Sequence, residues 1–369
     1  MRIALVLQGG GALGAYQAGV YQALHEHGFT PDWVVGTSIG AVNGALIAGN
    51  APAARVGRLH DFWMNIGHRD LYDMRSVPDP LRRLNIWLSI VNTYWMGTPG
   101  FFCPRGCTPF ALNLPVEPEA ASFYDTAQLA DTLGRLVEFE RINQPGGTRL
   151  TINAMQVTTG HSVSFDSQRQ PLAVEHIMAS GALPPGFPPV RVEGQLYWDG
   201  GLFSNTPLET VLDDPVVDDT LCFMVDLWSA KGPEPTTLEE VRTRQKDVLY
   251  ASRSRTHVDD YLRWHRAART ARNLAEKLPR KYRELPELHE LTTLASDSTL
   301  HVVRLVYGGR DWQMAAKDLN FSRGSIEWRW QQGYRDALRS LEQAPWRTPM
   351  AEWGGLVVHE PQPEQPDKH

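Results

Sequence analysis

Cysteine is scarce: only Cys103, Cys107 and Cys222 occur in 369 residues. So sparse and odd a count excludes a disulfide scaffold and fits a reducing compartment. Cys103 and Cys107 have the spacing of half a metal site, but no second Cys/His pair stands near them. They are read as loop thiols, and no metal or other cofactor is expected. Long hydrophobic runs are missing as well. The most apolar stretch, 86–91, is far shorter than the ~20 residues a membrane-spanning helix needs. The apolar run at 3–7 is too short for the core of a secretory signal, and no small-residue cleavage site follows it. A soluble, cytoplasmic protein is expected, with membrane contact at most transient. Charge of one sign is also lacking: the formal net charge is −6. That gives no general polyanion-binding surface, and nucleic acid is not expected as a partner.

What is present is an alternation of strand and helix signals. Residues 3–7 suit a buried strand, and 15–27 carry Val20, Ala23 and Leu24 at helical spacing. A second strand is predicted at 33–35 and a small-residue helix at 39–48, with later strands at 150–156, 162–165, 221–225 and 300–306. The alternation implies an α/β fold, a mainly parallel sheet with helices on both faces. Residues 1–230 form this domain, interrupted at 61–114 by an insertion rich in Trp, Tyr, Phe, Met and Pro. Residues 231–345 read as a mostly helical extension, with helices at 238–278 and 325–341. The polar, Pro-rich stretch 346–369 reads as a frayed tail.

Gly36-Thr37-Ser38-Ile39-Gly40 lies between the second strand and the helix after it. A G-x-S-x-G turn in that place strains the serine and exposes its Oγ, which makes Ser38 a candidate nucleophile. Gly9-Gly10-Gly11-Ala12-Leu13-Gly14 follows the first strand and opens a helix. Its unhindered backbone amides suit either a dinucleotide pyrophosphate or the oxyanion of an acyl-transfer intermediate. A dinucleotide site needs an acid at the end of the second strand, whereas this chain has the serine turn there, so the oxyanion hole is favoured.

A serine nucleophile needs a base. None of the twelve histidines is singled out by its context. Asp199, in Tyr197-Trp198-Asp199-Gly200-Gly201, is an acid in a glycine turn after apolar neighbours, a pattern that a plain hairpin also satisfies. A rival triad of Ser38, Asp226 and His301 has the chain order of α/β-hydrolases.

Taken together, the glycine loop, Gly36 to Gly40 and Asp199-Gly200-Gly201 resemble the three signature blocks of the patatin-like phospholipases. Ala179-Ser180-Gly181-Ala182-Leu183-Pro184 resembles a further block of that family. The resemblance implies a three-layer α/β/α sandwich and a Ser–Asp dyad without a catalytic histidine. It makes Ser38 the nucleophile and Asp199 the general base. It also assigns the amides of Gly9, Gly10, Gly11 and Ile39 to the oxyanion hole, and makes Gly14, Gly36, Gly40, Gly200 and Gly201 motif glycines. Two departures are visible. Leu13 stands where many members have Lys or Arg, which weakens phosphate recognition more than ester hydrolysis. Asp-Gly-Gly replaces the commoner Asp-Gly-Ala. From about Lys231 the chain resembles the extension of a bacterial subgroup, which implies no chemistry. The expected activity is carboxylic ester cleavage in a lipid through an acyl-enzyme. The alternatives are an esterase for a storage polyester or small acyl ester, and a non-enzymatic scaffold.

Two segments remain. The insertion, with Phe62, Trp63, Trp87, Trp95, Phe101 and Phe102, suits either a cap over an acyl-chain pocket or ordinary core. Residues 242–283 carry a surplus of nine positive charges. The apolar spacing of Tyr261, Leu262, Trp264, Ala268, Ala271, Leu274 and Leu278 predicts a helix docked on the protein's own acidic body rather than on a membrane.

Overall fold

The computed structural model describes residues 1–70, 78–106, 114–214, 219–279, 299–309, 315–347 and 355–360. Its strands are β1 (Arg2–Leu7), β2 (Trp33–Thr37), β3 (Cys103–Pro104), β4 (Tyr124–Asp125), β5 (Arg149–Gln156), β6 (Ser162–Asp166), β7 (Val190–Val192), β8 (Gln195–Asp199), β9 (Thr220–Asp226), β10 (Leu300–Val306) and β11 (Leu356–His359). The helices are α1 (Ala15–Glu26), α2 (Ile39–Ala48), α3 (Pro52–Ile66), α4 (Asp79–Met96), α5 (Ala127–Leu136), α6 (Phe139–Ile142), α7 (Val174–Ser180), α8 (Leu208–Leu212), α9 (Leu238–Lys277) and α10 (Arg323–Gln343).

One central sheet runs in the order β11-β10-β9-β1-β2-β5-β8-β7, with β6 also on β5. From β11 to β5 all neighbours are parallel, and β6, β7 and β8 are antiparallel additions. Alternation along the strands sorts the two faces. Leu5, Leu7, Phe223 and Val225 join the core beneath α1, α2, α3 and α10. Ala4, Val6, Cys222 and Met224 face the other way, against Leu208, Val211 and Leu212 of α8. This is the expected α/β fold.

The pairing register on β5 brings two distant parts of the chain together. β2 pairs with its first half, ending at Thr37 opposite Asn153, and β8 pairs antiparallel with the rest, ending at Asp199 opposite Ala154. Because β6 pairs with residues 151–155 of β5, it takes the other edge, and β2 and β8 must share one edge. The two strands therefore run toward each other and stop at the same point.

The C-terminal part differs from its expectation. β10 and β11 extend the central sheet beside β9. Leu356–His359, placed within the frayed tail by its polar surroundings, pairs as the parallel edge strand. The long basic helix also departs from its predicted buried stripe. Ala268 and Ala275 are buried, but Trp264, Leu274 and Leu278 are exposed, and the side chains of Tyr261 and Leu262 lie outside the described residues. The insertion divides as well. Phe62, Trp63 and Ile66 of α3 are fully buried core, whereas Trp87 and Trp95 of α4 face outward. Cys107 lies outside the described residues.

Helix α10 crosses α1 at two facing glycines. A Cβ on Gly19 would stand 1.9 Å from the Trp330 carbonyl oxygen, and one on Gly333 2.0 Å from that of Tyr16. In an exposed helix, Gly→Ala stabilises by about 1 kcal/mol. Here overpacking reverses the sign, and Gly19→Ala or Gly333→Ala should each destabilise by about 1–3 kcal/mol. Urea denaturation measures this, and unchanged or raised stability would mean that the helices are not in contact at these residues.

Candidate active site

The turn from β2 into α2 places Ser38 at φ 58°, ψ −125°, a left-handed conformation that a non-glycine residue keeps only when its surroundings enforce it. They do so by contact. A Cβ at Gly36 would stand 2.4 Å from the Gly40 carbonyl oxygen, and one at Gly40 2.2 Å from that of Leu7. The Ser38 N–H donates to Ser180 Oγ (2.9 Å), and that hydroxyl donates to the Asn153 carbonyl (2.7 Å). Ser180, from the Ala179-Ser180-Gly181 block, thus ties the turn to the point on β5 where β2 and β8 meet.

Asp199 ends β8 at that point and is buried. The Ser38 hydroxyl lies near enough to its carboxyl to favour the ionised form, and Oδ1 accepts the Gly201 N–H at 2.7 Å. Burial pushes the carboxyl up from 3.8 to about 6, against the opposing pull of that hydroxyl and the Gly201 amide.

The glycine loop lies across the same site. The Gly9 N–H donates to the Asn205 carbonyl (3.1 Å), and the Gly9 carbonyl accepts from Asn205 Nδ2 (3.0 Å) and Trp228 Nε1 (2.8 Å). Gly9 is therefore committed to holding the loop, which corrects its assignment as an oxyanion donor. Gly10 and Gly11 lead into the 3₁₀ turn Gly11–Gly14, and Ile39 is the first residue of α2. The leading amides of a helix have no intrahelical acceptor, so the N–H groups of these three are donor candidates. Gly11, at φ 54°, passes so close to the Asp318 carbonyl that a Cβ would stand 2.5 Å from its oxygen. Gly14 packs beneath Ile39 and Trp63, and Gly200 lies against Asn153; neither is a donor candidate.

Ser38, Ile39, Asp199, Gly201 and Gly9 to Gly11 open onto one cleft. Its apolar wall is Val42, Phe101, Phe102, Leu129, Phe187 and Phe321, with the Phe101, Phe102, Phe187 and Phe321 rings packed at 5.1–6.3 Å. Of the insertion's aromatic residues, Phe101 and Phe102 line the cleft, Phe62 and Trp63 are core, and the outward-facing Trp87 and Trp95 do not line it. Segments beyond residue 231 complete the wall, through Tyr250 of α9 and through Asp318, Leu319 and Phe321. Trp228 stacks on Tyr250 at 4.9 Å and carries Lys246 and Lys317 over its ring. Those lysines pair with Asp318 and Asp247, each at 2.6 Å. The extension, to which no chemistry was attributed, thus walls the site, and a sequence pattern gives no sign of it because these residues meet only in the fold.

The rival triad does not assemble. Asp226 is fully buried against Arg304 (2.6 Å) and Thr206 (3.1 Å). His301 sits near the N-terminal end of β10, stacked on His359 with Nδ1 and Nε2 3.0 Å apart, whereas Ser38 lies beyond the C-terminal end of the parallel β2. No histidine lines the cleft among the described residues.

A family model described as patatin-like phospholipase matches residues 5–212. The chain belongs to that family. A second model, described as patatin phospholipase, matches residues 248–352, the part that closes the cleft. Lysophospholipase nte1 of Aspergillus terreus is 48% identical over 66 residues, 18% of this chain and 4% of that protein. The human patatin-like phospholipase domain-containing protein 6 is 49% identical over 79 residues, 21% of this chain and 5% of that one. Lysophospholipase NTE1 of Candida glabrata is 27% identical over 237 residues, 63% of this chain and 11% of the relative. The chain therefore spans only a small part of these curated patatin-like relatives. Among solved structures, VipD from Legionella pneumophila overlaps 92% of this chain and 66% of its own, at 13% identity and a TM-score of 0.41. Among the described residues, no helix is long and apolar enough to cross a membrane.

The raised Asp199 carboxyl makes a stability prediction. The native state holds this proton more tightly than the unfolded chain, so its contribution is full below pH 3.8 and is lost as pH rises through about 6. Asp199→Asn removes that loss. It should be more stable than the parent at pH 8 by roughly 3 kcal/mol, with the gain vanishing toward pH 4. Denaturant midpoints across pH test this; a variant no more stable than the parent at pH 8 would mean that Asp199 is not a strained, buried acid.

Proposed function

We propose that the chain is a serine-dependent lipid acyl hydrolase, cleaving carboxylic esters through a Ser38–Asp199 dyad and an acyl-enzyme. The observation that carries the reading is Ser38, held in a strained turn beside the buried Asp199 carboxyl, at the foot of an aromatic cleft. Family membership and the lysophospholipase names of the relatives support the lipid assignment.

Ser38 Oγ attacks the ester carbonyl while its proton passes to Asp199. The negative charge that develops on the carbonyl oxygen is met by the N–H groups of Gly10, Gly11 and Ile39. The intermediate collapses, the C–O bond to the alcohol breaks, and the proton on Asp199 goes to the departing oxygen. Water then gives a proton to Asp199, attacks the acyl-serine carbonyl, and a second collapse releases the carboxylic acid and returns the proton to Ser38. Asp199 must enter this sequence ionised. With its carboxyl at about 6, it is ionised at neutral pH yet a stronger base than an exposed aspartate.

The apolar wall suits an acyl chain, and lipid is the substrate class it fits best. Leu13 is buried in the core and offers no charge to a phosphate, and Lys246 and Lys317 at the rim are paired with acids. Recognition thus falls on the acyl side of the ester.

Three outcomes are expected. A fluorophosphonate probe should label Ser38, with the label absent from Ser38→Ala; full labelling of that variant would assign the chemistry elsewhere. On p-nitrophenyl esters, kcat/KM should fall as pH drops through about 6, losing a factor of roughly ten per pH unit below it. It should also rise with acyl length, since each buried CH₂ contributes about 0.8 kcal/mol, and Phe102→Ala should flatten that rise. A parent profile that is flat from acetate to decanoate would favour a small-ester esterase.

A further inference from the structure

Helix α4 is inverted. Its inward face carries Asn85, Ile86, Ser89 and Thr93, all buried and mostly polar. Hydrogen bonds hold that face in place. Asn85 Nδ2 donates to Asp70 Oδ1 (2.8 Å), and Thr93 Oγ1 meets His68 Nε2 (3.1 Å). Asp70 Oδ2 in turn accepts the Gly324 N–H of α10 at 2.6 Å. The outward face, at steps of three and four residues, carries Leu81, Leu84, Trp87, Leu88, Val91 and Trp95. Leu84, Trp87 and Trp95 are 48, 49 and 70% exposed. From 81 to 95 the stripe is roughly 21 Å long at 1.5 Å per residue. Leu88 and Val91 in the middle of the stripe are half-buried, and among the described residues the exposed Leu81, Leu84, Trp87 and Trp95 around them form apolar surface of the kind that marks an interaction site.

The stripe leads into the cleft. At its end Tyr94 and Met96 are 59 and 71% exposed. The Tyr124 hydroxyl donates to the Tyr94 carbonyl at 2.8 Å, and the Tyr124 ring packs on Phe102 and Phe187 at 5.0 and 6.2 Å. The end of α4 is thus tied through Tyr124 to Phe102 and Phe187 in the wall of the cleft.

We propose that the outward face of α4 docks on a phospholipid surface, and that Tyr94 to Met96 form the threshold over which an acyl chain passes into the cleft. The proposal rests on the lipid acyl hydrolase reading of that cleft. The choice of occupant follows from chemistry. Tryptophan and tyrosine concentrate at the boundary between water and hydrocarbon, where a ring buries its body and keeps a polar edge wet. Arg83, exposed beside the stripe, lies within the attraction of Glu240 of α9, and its long side chain lets the guanidinium turn from that carboxylate to lipid phosphates.

The experiment uses the full chain and vesicles of phosphatidylcholine with one quarter phosphatidylglycerol. Vesicle co-sedimentation is measured with Ser38→Ala protein, so that binding is read without turnover. Adding Leu81→Ser, Leu84→Ser and Trp87→Ser should cut binding about tenfold or more. In the active protein the same three changes should lower hydrolysis of vesicle phospholipid in proportion. They should leave kcat/KM on dissolved p-nitrophenyl butyrate and the thermal midpoint unchanged. Absence of vesicle binding by the parent, or equal binding by the triple variant, overturns the proposal. So does a parallel loss on the dissolved ester, which would make the stripe part of the fold. A parent that sediments as a dimer and becomes monomeric in the triple variant, without vesicle binding, would assign the face to a second copy of the chain. If the parent cleaves no ester at all, the catalytic reading fails, and the co-sedimentation result still decides the docking face.

Discussion

Everything at the site depends on two strands ending at one point of a third. β2 and β8 share an edge of β5 and approach it from opposite directions, stopping at Asn153 and Ala154. The residue after one strand is Ser38 and the last residue of the other is Asp199. Backbone pairing therefore fixes the separation of the two side chains, with no loop between them to adjust. The Asn153 carbonyl at the junction takes the Ser180 hydroxyl, which accepts from the Ser38 amide. A register slip of one residue on β8 would turn Asp199 to the opposite face of the sheet, so the sheet itself sets the placing of the proposed dyad.

The second constraint is the glycine loop, which has to be held without using the amides it offers. Gly9 is secured at both its N–H and its carbonyl by Asn205 and Trp228, leaving Gly10 and Gly11 at the head of the next turn. Trp228 in turn is packed by Tyr250 and by two paired lysines from later in the chain. The fully buried Arg329 of α10 donates to the Ala12, Asn320 and Lys317 carbonyls, joining the loop to the segment that bears Asp318. Residues 5–212 match the family model and include Asn205, but Trp228, Tyr250, Asp318 and Phe321, which complete the bracing of the loop and the wall of the cleft, come from beyond them.

Much of this was legible in the sequence, for reasons that differ by element. β1, β2 and α2 were readable because apolar runs and small-residue spacing are local signals. Ser38 was readable because the G-x-S-x-G turn requires glycine at both flanks for contacts that the structure shows. Asp199 was ambiguous by itself, since an acid before two glycines also makes a hairpin; only its company with the other blocks separated the readings. What could not be read depends on residues distant in the chain. Gly9 satisfies the pattern of a donor, yet its amide is taken by Asn205, about two hundred residues on. Trp87, Trp95 and Phe101 look alike in composition, and only the hydrogen bonds beneath α4 turn the first two outward. Leu356–His359 is too short and too isolated to announce a strand until β10 offers it an edge.

The raised pKa of Asp199 and the apolar wall are parts of one device under the proposed chemistry. An exposed aspartate is too weak a base to take a serine proton, and the usual remedy is an intervening histidine. Among the described residues no histidine lines the cleft, and burial supplies part of what is missing, because removing water disfavours the carboxylate and so strengthens it as a base. The fold offsets the cost of that strain through the dense core around β5 and α2. A bound acyl chain extends the effect, since filling the cleft between Phe101, Phe102, Phe187 and Phe321 removes the remaining water near the carboxyl. A short or polar ester leaves that space wet and the base weaker. Selectivity for an acyl chain and the reactivity of the dyad then share a physical origin, the exclusion of water from one side of Asp199.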